Sequence, residues 1–239
     1  MARVVDVLTG DLVLVPGTPE TDPLPPTANA IYVGLIHWQR GGVTLPDWVA
    51  AMRRDGPLVW LYPGNPRYAA SAKFADGIVL IHAAIEALAN SRMHVVLTTG
   101  HQALPKEVGR LPENFILASY LPGIAMAEHS DLMIHHGGHG SFMAGLGAGT
   151  PQVIVPTYSE RESNARRMAA LGTGEFIVPT VSESGEKQLD VADFKAKVHR
   201  VLTEPRYRET ARQMARMVRR YGGAWEAADR IERFASSLA

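Results

Sequence analysis

Between Leu58 and Pro179 the chain repeats one pattern: a short, uninterrupted apolar run, a turn, and in most cases a stretch with helical spacing. The runs are LVWLY (58–62), HVVLTTG (94–100), NFILA (114–118), DLMIHH (131–136), QVIVP (152–156) and EFIVP (175–179). A strand with one solvated face alternates apolar and polar residues; these runs do not, so both faces must be covered. The covering segments are helical. GIVLIHAAIEALANS is a helical run with apolar residues at Val79, Ile81, Ile85 and Leu88, and ARRMAALG (165–172) ends on Gly172, suited to a left-handed C-cap. Buried strands alternating with helices specify an α/β fold with a doubly wound parallel sheet.

The flanks read differently. PGTPETDPLPPTANA (16–30) is dense in proline and reads as an extended linker, because each proline fixes φ and removes a donor. IYVGLI (31–36) reads as a short strand, and an irregular stretch then ends near Gly56. From Val191 onward the chain is amphipathic and helical, divided into three pieces by Pro205 and by Gly222-Gly223. The expected organisation is therefore 1–56 as linker and lead-in strand, 57–221 as the α/β domain, and 222–239 as a terminal helix.

Composition removes several functions. Lys plus Arg and Asp plus Glu number 24 each, so no net charge recruits nucleic acid or an acidic membrane, and any bound anion must be held by local geometry. Cysteine is absent, which excludes disulfides and thiolate zinc sites and agrees with a cytoplasmic location. The opening MARVVDVLTGDLVLV is interrupted by Asp6 and Asp11, too early for a signal peptide or a membrane span.

The most informative stretch is DLMIHHGGHGSFMAGLGAGTPQVIVP (131–156). A strand ends at His135 and His136, glycines follow, and a helix begins near Ser141. In a doubly wound sheet, ligands bind outside the carboxyl ends of the strands. A helix N-terminus placed there offers unpaired N–H groups and partial positive charge, and glycines admit a phosphate close to the backbone. Known motifs fail on spacing: Met143 stands where G-x-G-x-x-G and a nucleophile elbow need glycine, and no Gly-Lys-Ser/Thr follows. His135 and His139 lie across glycines with no carboxylate beside them, so no metal site is expected. The residues alone leave two readings open: a diphosphate cradle, or a tight turn whose histidines are satisfied by backbone.

The turn and its surroundings resemble the C-terminal, nucleotide-sugar-binding domain of GT-B glycosyltransferases, in particular the family 1-like group that uses UDP- or dTDP-sugars. The resemblance rests on His136-Gly137-Gly138-His139-Gly140-Ser141, on Gly149-Thr150-Pro151, on Pro156-Thr157-Tyr158-Ser159-Glu160-Arg161, on NARRMAALGTG from Asn164, and on the linker GDLVLVPGTPETDPLPPTANAIYVG. It covers the chain from about Gly10. It implies a Rossmann-like fold, the C-terminal half of the GT-B architecture, and residue roles. His136 and the backbone at Gly138, Gly140 and Ser141 would hold the donor diphosphate. Glu160 and Arg161 would face the sugar, Ser119 and Leu121 the nucleobase, and Ala144 the ribose. Gly64 and Asn65 would approach the diphosphate or the acceptor.

Two positions depart from the family pattern. Ala144 stands where relatives place a ribose-binding glutamate, a loss worth about 1.5–3 kcal/mol of nucleotide binding. Arg161 stands where they place glutamine. The resemblance also implies that the acceptor site and catalytic base lie in an N-terminal domain of roughly 200 residues. No catalytic residue is therefore expected in this chain. The implied substrate is a nucleotide diphosphate sugar, with no cofactor and no metal. The implied reaction is sugar transfer to an acceptor hydroxyl with inversion, in secondary metabolism, with the isolated chain inactive. The implied partners are that N-terminal domain and, through the surface facing it, a homo-oligomer. In the family the final helix packs on the N-terminal domain. Two other functions stay open: a nucleotide-sugar epimerase of the same fold, and a non-catalytic helper of a transferase.

Overall fold

The computed structural model describes residues 10–37, 44–52, 56–64, 77–158 and 160–238. The chain divides into two compact units, Met1–Trp38 with Ala215–Ala239, and Gln39–Met214.

The larger unit carries a six-stranded sheet, all parallel: β3 (Leu58–Tyr62), β4 (His94–Thr98), β5 (Phe115–Ala118), β6 (Leu132–His135), β7 (Gln152–Ile154) and β8 (Gly174–Phe176). Their spatial order is β5-β4-β3-β6-β7-β8. The helices are α1 (Asp47–Met52), α2 (Ile78–Leu88), α3 (Gly123–His129), α4 (His139–Ala148), α5 (Glu160–Ala170) and α6 (Val191–Thr203). A longer helix, α7, spans Pro205–Val218, and a terminal one, α8, spans Gly223–Ser237. All six apolar runs form strands, although several are shorter than their apolar spans. The three predicted C-terminal helical pieces are present. Gly172 adopts φ +71° just past α5, as a C-terminal glycine should.

The packing explains the unbroken apolar runs. Val59, Leu61, Val95, Leu97, Leu132 and Ile134 pack with Leu80, Ala84 and Leu88 of α2 and Phe194 and Val198 of α6. Their neighbours Leu58, Trp60, Val96 and Met133 join Val49 of α1 and Met126 and Ala127 of α3 in a second cluster. Side chains one residue apart point to opposite faces, and each face is dry. Inside the second cluster the Trp60 indole donates to the Thr98 hydroxyl at 2.8 Å, with both residues buried. Thr98→Val keeps the shape but strands that N–H, so it should destabilise the protein by about 1–3 kcal/mol in urea unfolding, and Thr98→Ser should recover most of the loss. Equal stability of Thr98→Val and the parent would show that the indole has another acceptor.

Two expectations for the smaller unit need correction. The run 31–36 is a strand only over Ile31–Tyr32 (β2), paired in parallel with Leu14–Val15 (β1). It stops because Gly34 turns to φ +82°, where a Cβ would lie 2.3 Å from the Cβ of Tyr221. The segment read as extended linker contains a folded turn: Thr18 N–H donates to the Thr21 hydroxyl at 2.8 Å, and Asp22 N–H to the Thr18 carbonyl at 2.8 Å. Threonine hydroxyls that bond local backbone override the extended tendency of the flanking prolines. On α8, Ala227 is buried but Trp225 is 87% exposed and Ile231 is exposed, as is Leu238 just past the helix. The antiparallel pair β9 (Thr180–Val181) and β10 (Lys187–Gln188) belongs to the larger unit and has no counterpart in the sequence reading.

Candidate functional site

Sequence-consecutive crossovers run outward from β3 through β4 to β5, then reverse and run from β6 through β7 to β8. The reversal separates the loops that leave β3 and β6 and opens a crevice at their carboxyl ends. The two strands end in register, Tyr62 opposite His135. Whatever follows those residues lines the crevice: Pro63 and Gly64 on one side, His136 to Ser141 on the other.

His135 is a structural residue. Its Nδ1 accepts from Gly137 N–H at 3.1 Å, so its Nε2 carries the proton and donates to the Gln152 side-chain oxygen at 2.8 Å. The Gln152 amide in turn donates to the Phe142 carbonyl at 3.3 Å. Both ring nitrogens are taken, and the histidine ties the turn to β7 and α4. Burial, and then the neighbouring His136, lower its pKa to about 3.

His136 points the other way, into the crevice. Its ring lies between two glycines. A Cβ at Gly64 (φ +94°) would sit 3.1 Å from the ring, and one at Gly138 would sit 2.6 Å from Nε2. The Tyr62 ring meets it edge-on at 5.5 Å. The residue is only 7% exposed, and its Nδ1 is buried with no hydrogen-bond partner among the described residues. Burial, reinforced by the charge of Arg161 and opposed by the Tyr62 backbone, lowers its pKa to about 4, so the ring is neutral at pH 7. Gly138 therefore serves the histidine ring. Gly140 is the open glycine, since a Cβ there would meet nothing within 4 Å.

Gly138 is the N-cap of α4, which begins at His139. The first N–H groups of a helix have no intrahelical partner, so the amides of His139, Gly140 and Ser141 face outward with the positive end of the helix dipole. His139 and Gly140 are exposed and Ser141 is half-buried. Ala144 lies in the second turn rather than the first, because α4 starts before Ser141, and it is only 8% exposed.

The far wall comes from α5. Gly137 (φ +87°) lies against it: a Cβ there would be 2.8 Å from Ile154 Cγ2 and 2.9 Å from the Arg161 carbonyl oxygen. The Asn164 amide donates to the Gly137 carbonyl at 2.8 Å. Arg161 donates to the Thr157 hydroxyl at 2.7 Å, and its guanidinium stands 4.4 Å above the Tyr158 ring. Glu160 begins the helix and is exposed. Asn164 and Gln152 hold the turn from either side. Sequence reading gave them no role, because an amide that braces backbone leaves no spacing signal.

The segment expected at the nucleobase leaves β5. The Ser119 carbonyl accepts from His101 N–H at 2.7 Å, and the His101 ring stacks on Tyr120 at 4.8 Å and 8°. Leu121 is buried in the second core cluster, while Tyr120 is half exposed. Residues 116–121, with Pro46, Trp48 and Met52, line a cavity of about 570 Å³. The structure thus brings Gly64, His136, Gly138, Gly140, Ser141 and Arg161 to one crevice. Asn65 lies outside the described residues.

The two buried histidines set a pH dependence. Both folded values, about 3 and about 4, lie below the ordinary 6.5. The unfolded chain therefore binds more protons in that window, and stability present above pH 6.5 is lost as pH falls through it. The melting temperature should drop between pH 7 and pH 4.5, and less steeply in His136→Gln. Identical slopes for the two proteins would remove His136 as a source of the loss.

Residues 82–230 match the family described as Erythromycin biosynthesis protein CIII-like, C-terminal domain. The chain belongs to this family. Among curated relatives of this EryCIII-like domain, NDP-glycosyltransferase YjiC of Bacillus licheniformis is 32% identical over 153 residues, covering 64% of this chain and 37% of the relative. Demethyllactenocin mycarosyltransferase of Streptomyces fradiae is 32% identical over 160 residues, 67% of this chain and 33% of the relative. The calicheamicin glycosyltransferase CalG4 superposes with a TM-score of 0.73 at 26% identity, over 95% of this chain and 53% of its own. The spinosyn rhamnosyltransferase SpnG, solved with thymidine diphosphate, gives 0.73 at 22% identity over 94% and 57%, a likeness of fold. The EryCIII-like chain spans about a third of the length of these curated relatives and about half of these solved structures. The GT-B assignment and the Rossmann-like C-terminal fold implied by the sequence are confirmed. Among the described residues, no helix is long and apolar enough to cross a membrane.

Proposed function

We propose that this domain holds the nucleotide diphosphate sugar, a UDP- or dTDP-sugar, for a cytoplasmic glycosyltransferase that moves the sugar to an acceptor hydroxyl with inversion. One observation carries the reading: a buried, neutral His136 whose Nδ1 has no hydrogen-bond partner among the described residues, held between Gly64 and Gly138 beside the open N-terminus of α4. A polar atom kept dry without a partner costs free energy, and an anion-binding helix end beside it supplies the reason. In this reading 57–221 is the donor-binding domain, 1–56 the linker and lead-in strand, and 222–239 the crossover helix.

The diphosphate is the leaving group, and negative charge grows on it as the glycosidic bond breaks. Amides fixed at 139–141 need no reorganisation to meet that charge, and His136 adds a donor from the floor of the crevice. The diphosphate would also raise the His136 pKa and favour the imidazolium. Glu160 and Arg161 lie on the sugar side, and Ser119 with Leu121, joined by the His101–Tyr120 stack, on the base side. Ala144, nearly buried, supplies no acceptor for ribose hydroxyls. No residue of this chain is assigned as the general base. The relatives compared above are named as glycosyltransferases, which lends nothing to the epimerase or helper readings.

Calorimetric titration of this chain with UDP, dTDP, uridine and thymidine tests the proposal. A diphosphate should bind at least tenfold, about 1.4 kcal/mol, tighter than its nucleoside. Equal affinity of nucleoside and diphosphate would mean that the crevice holds a base and no phosphate.

A further inference from the structure

Arg161 carries charge that the described residues leave unanswered. Its side chain is half-buried, and its Nε is buried with no hydrogen-bond partner among the described residues. The contacts of its guanidinium are a neutral hydroxyl, Thr157 at 2.7 Å, and a neutral ring, Tyr158 at 4.4 Å. Of the two acidic residues that flank it in the chain, Glu160 is exposed and Glu162 pairs with Arg166 at 2.6 Å. A guanidinium offers five donors in a planar fork suited to an oxyanion, and withdrawing it from water without a counter-charge is unfavourable. The position matters as much as the charge. A Cβ on Gly137 would lie 3.2 Å from the Arg161 Cβ, so the arginine stem abuts the residue next to His136. Tyr62, at the end of β3 and edge-on to His136, also feels its charge.

Resting on the donor-site reading above, we propose that Arg161 is a specificity-determining residue that seats an oxyanion of the donor beside His136. Two groups on a nucleotide sugar have this chemistry: the diphosphate oxygens, and the carboxylate of a uronic acid sugar. In either case the domain recognises its ligand by charge at the place where the helix end meets the sugar side. Burial depresses the guanidinium pKa, and the nearby Tyr158, Glu160 and Tyr62 side chains oppose that shift without forming an ion pair with it. The histidine beside it is kept neutral first by burial and then by the charge of Arg161. An incoming oxyanion relieves both.

The test titrates the parent, Arg161→Gln and Arg161→Lys with uridine, UDP, UDP-glucose and UDP-glucuronic acid, and with the thymidine series. Arg161→Gln should weaken the oxyanion-bearing ligands by roughly 10- to 100-fold, with uridine or thymidine unchanged and partial recovery in Arg161→Lys. Equal weakening of UDP and UDP-glucose supports the proposal with the diphosphate as the oxyanion. Weakening confined to the glucuronic acid conjugate supports it with the sugar carboxylate. Unchanged affinity for every ligand overturns it while leaving the donor-site reading intact. Loss that extends equally to the free nucleoside also overturns it, because the arginine would then be bracing the fold. A parent protein that binds no diphosphate overturns both readings.

Discussion

Gly137→Ala should destabilise this protein by about 2–4 kcal/mol, because two penalties meet at one atom. The residue sits at φ +87°, where an L side chain is strained. The added Cβ would lie 2.8 Å from Ile154 Cγ2 and 2.9 Å from the Arg161 carbonyl, and the second contact is backbone that cannot rotate away. The turn would have to open, and with it the bond from Asn164 to the Gly137 carbonyl. Gly140→Ala is the control. It lies in the first turn of α4, its Cβ meets nothing, and alanine is the better helix former, so stability should hold or rise by up to about 1 kcal/mol. Urea unfolding of the two variants separates them. Equal destabilisation would mean that the turn does not pack on α5 as described.

His136→Ala should weaken binding of UDP or dTDP by about 1.5–3 kcal/mol, the cost of removing a donor to a charged group, and leave uridine or thymidine nearly unaffected. The difference between the two ligands is the informative quantity. His136 is buried, so its removal also leaves a void between Gly64 and Gly138 and lowers stability. A general loosening of the crevice would weaken nucleoside and diphosphate alike, whereas a lost phosphate contact penalises the diphosphate alone.

The sheet was legible because its signal is redundant. Six apolar runs each report that both faces are dry, and together they leave one fold class. The switch point was legible through the His-Gly-Gly-His-Gly-Ser turn, where residue types unsuited to a strand or a helix interior cluster at their junction. What escaped was contact chemistry. Gly138 reads in sequence as a place for phosphate, yet its lack of a side chain makes room for His136. His135 and His136 are adjacent and chemically alike, and only the structure gives one to Gln152 and leaves the other with an Nδ1 that no described residue meets. The Thr18–Asp22 turn escaped because five prolines across 16–26 outweigh two threonines in any local count. Ala144 was expected in the first turn of α4, but helix starts are set by capping geometry, and the helix begins at His139.

The central claim is that the carboxyl ends of β3 and β6 form the seat of a nucleoside diphosphate. Mapping backbone amide and histidine ring shifts by NMR while dTDP or UDP is added tests it most directly. The account predicts the largest changes at Gly138 to Ser141 and at the His136 ring, with His135 unmoved because both its nitrogens are held by protein. Shifts centred instead on the cavity lined by Trp48 and Ile116, with residues 138–141 silent, would contradict it.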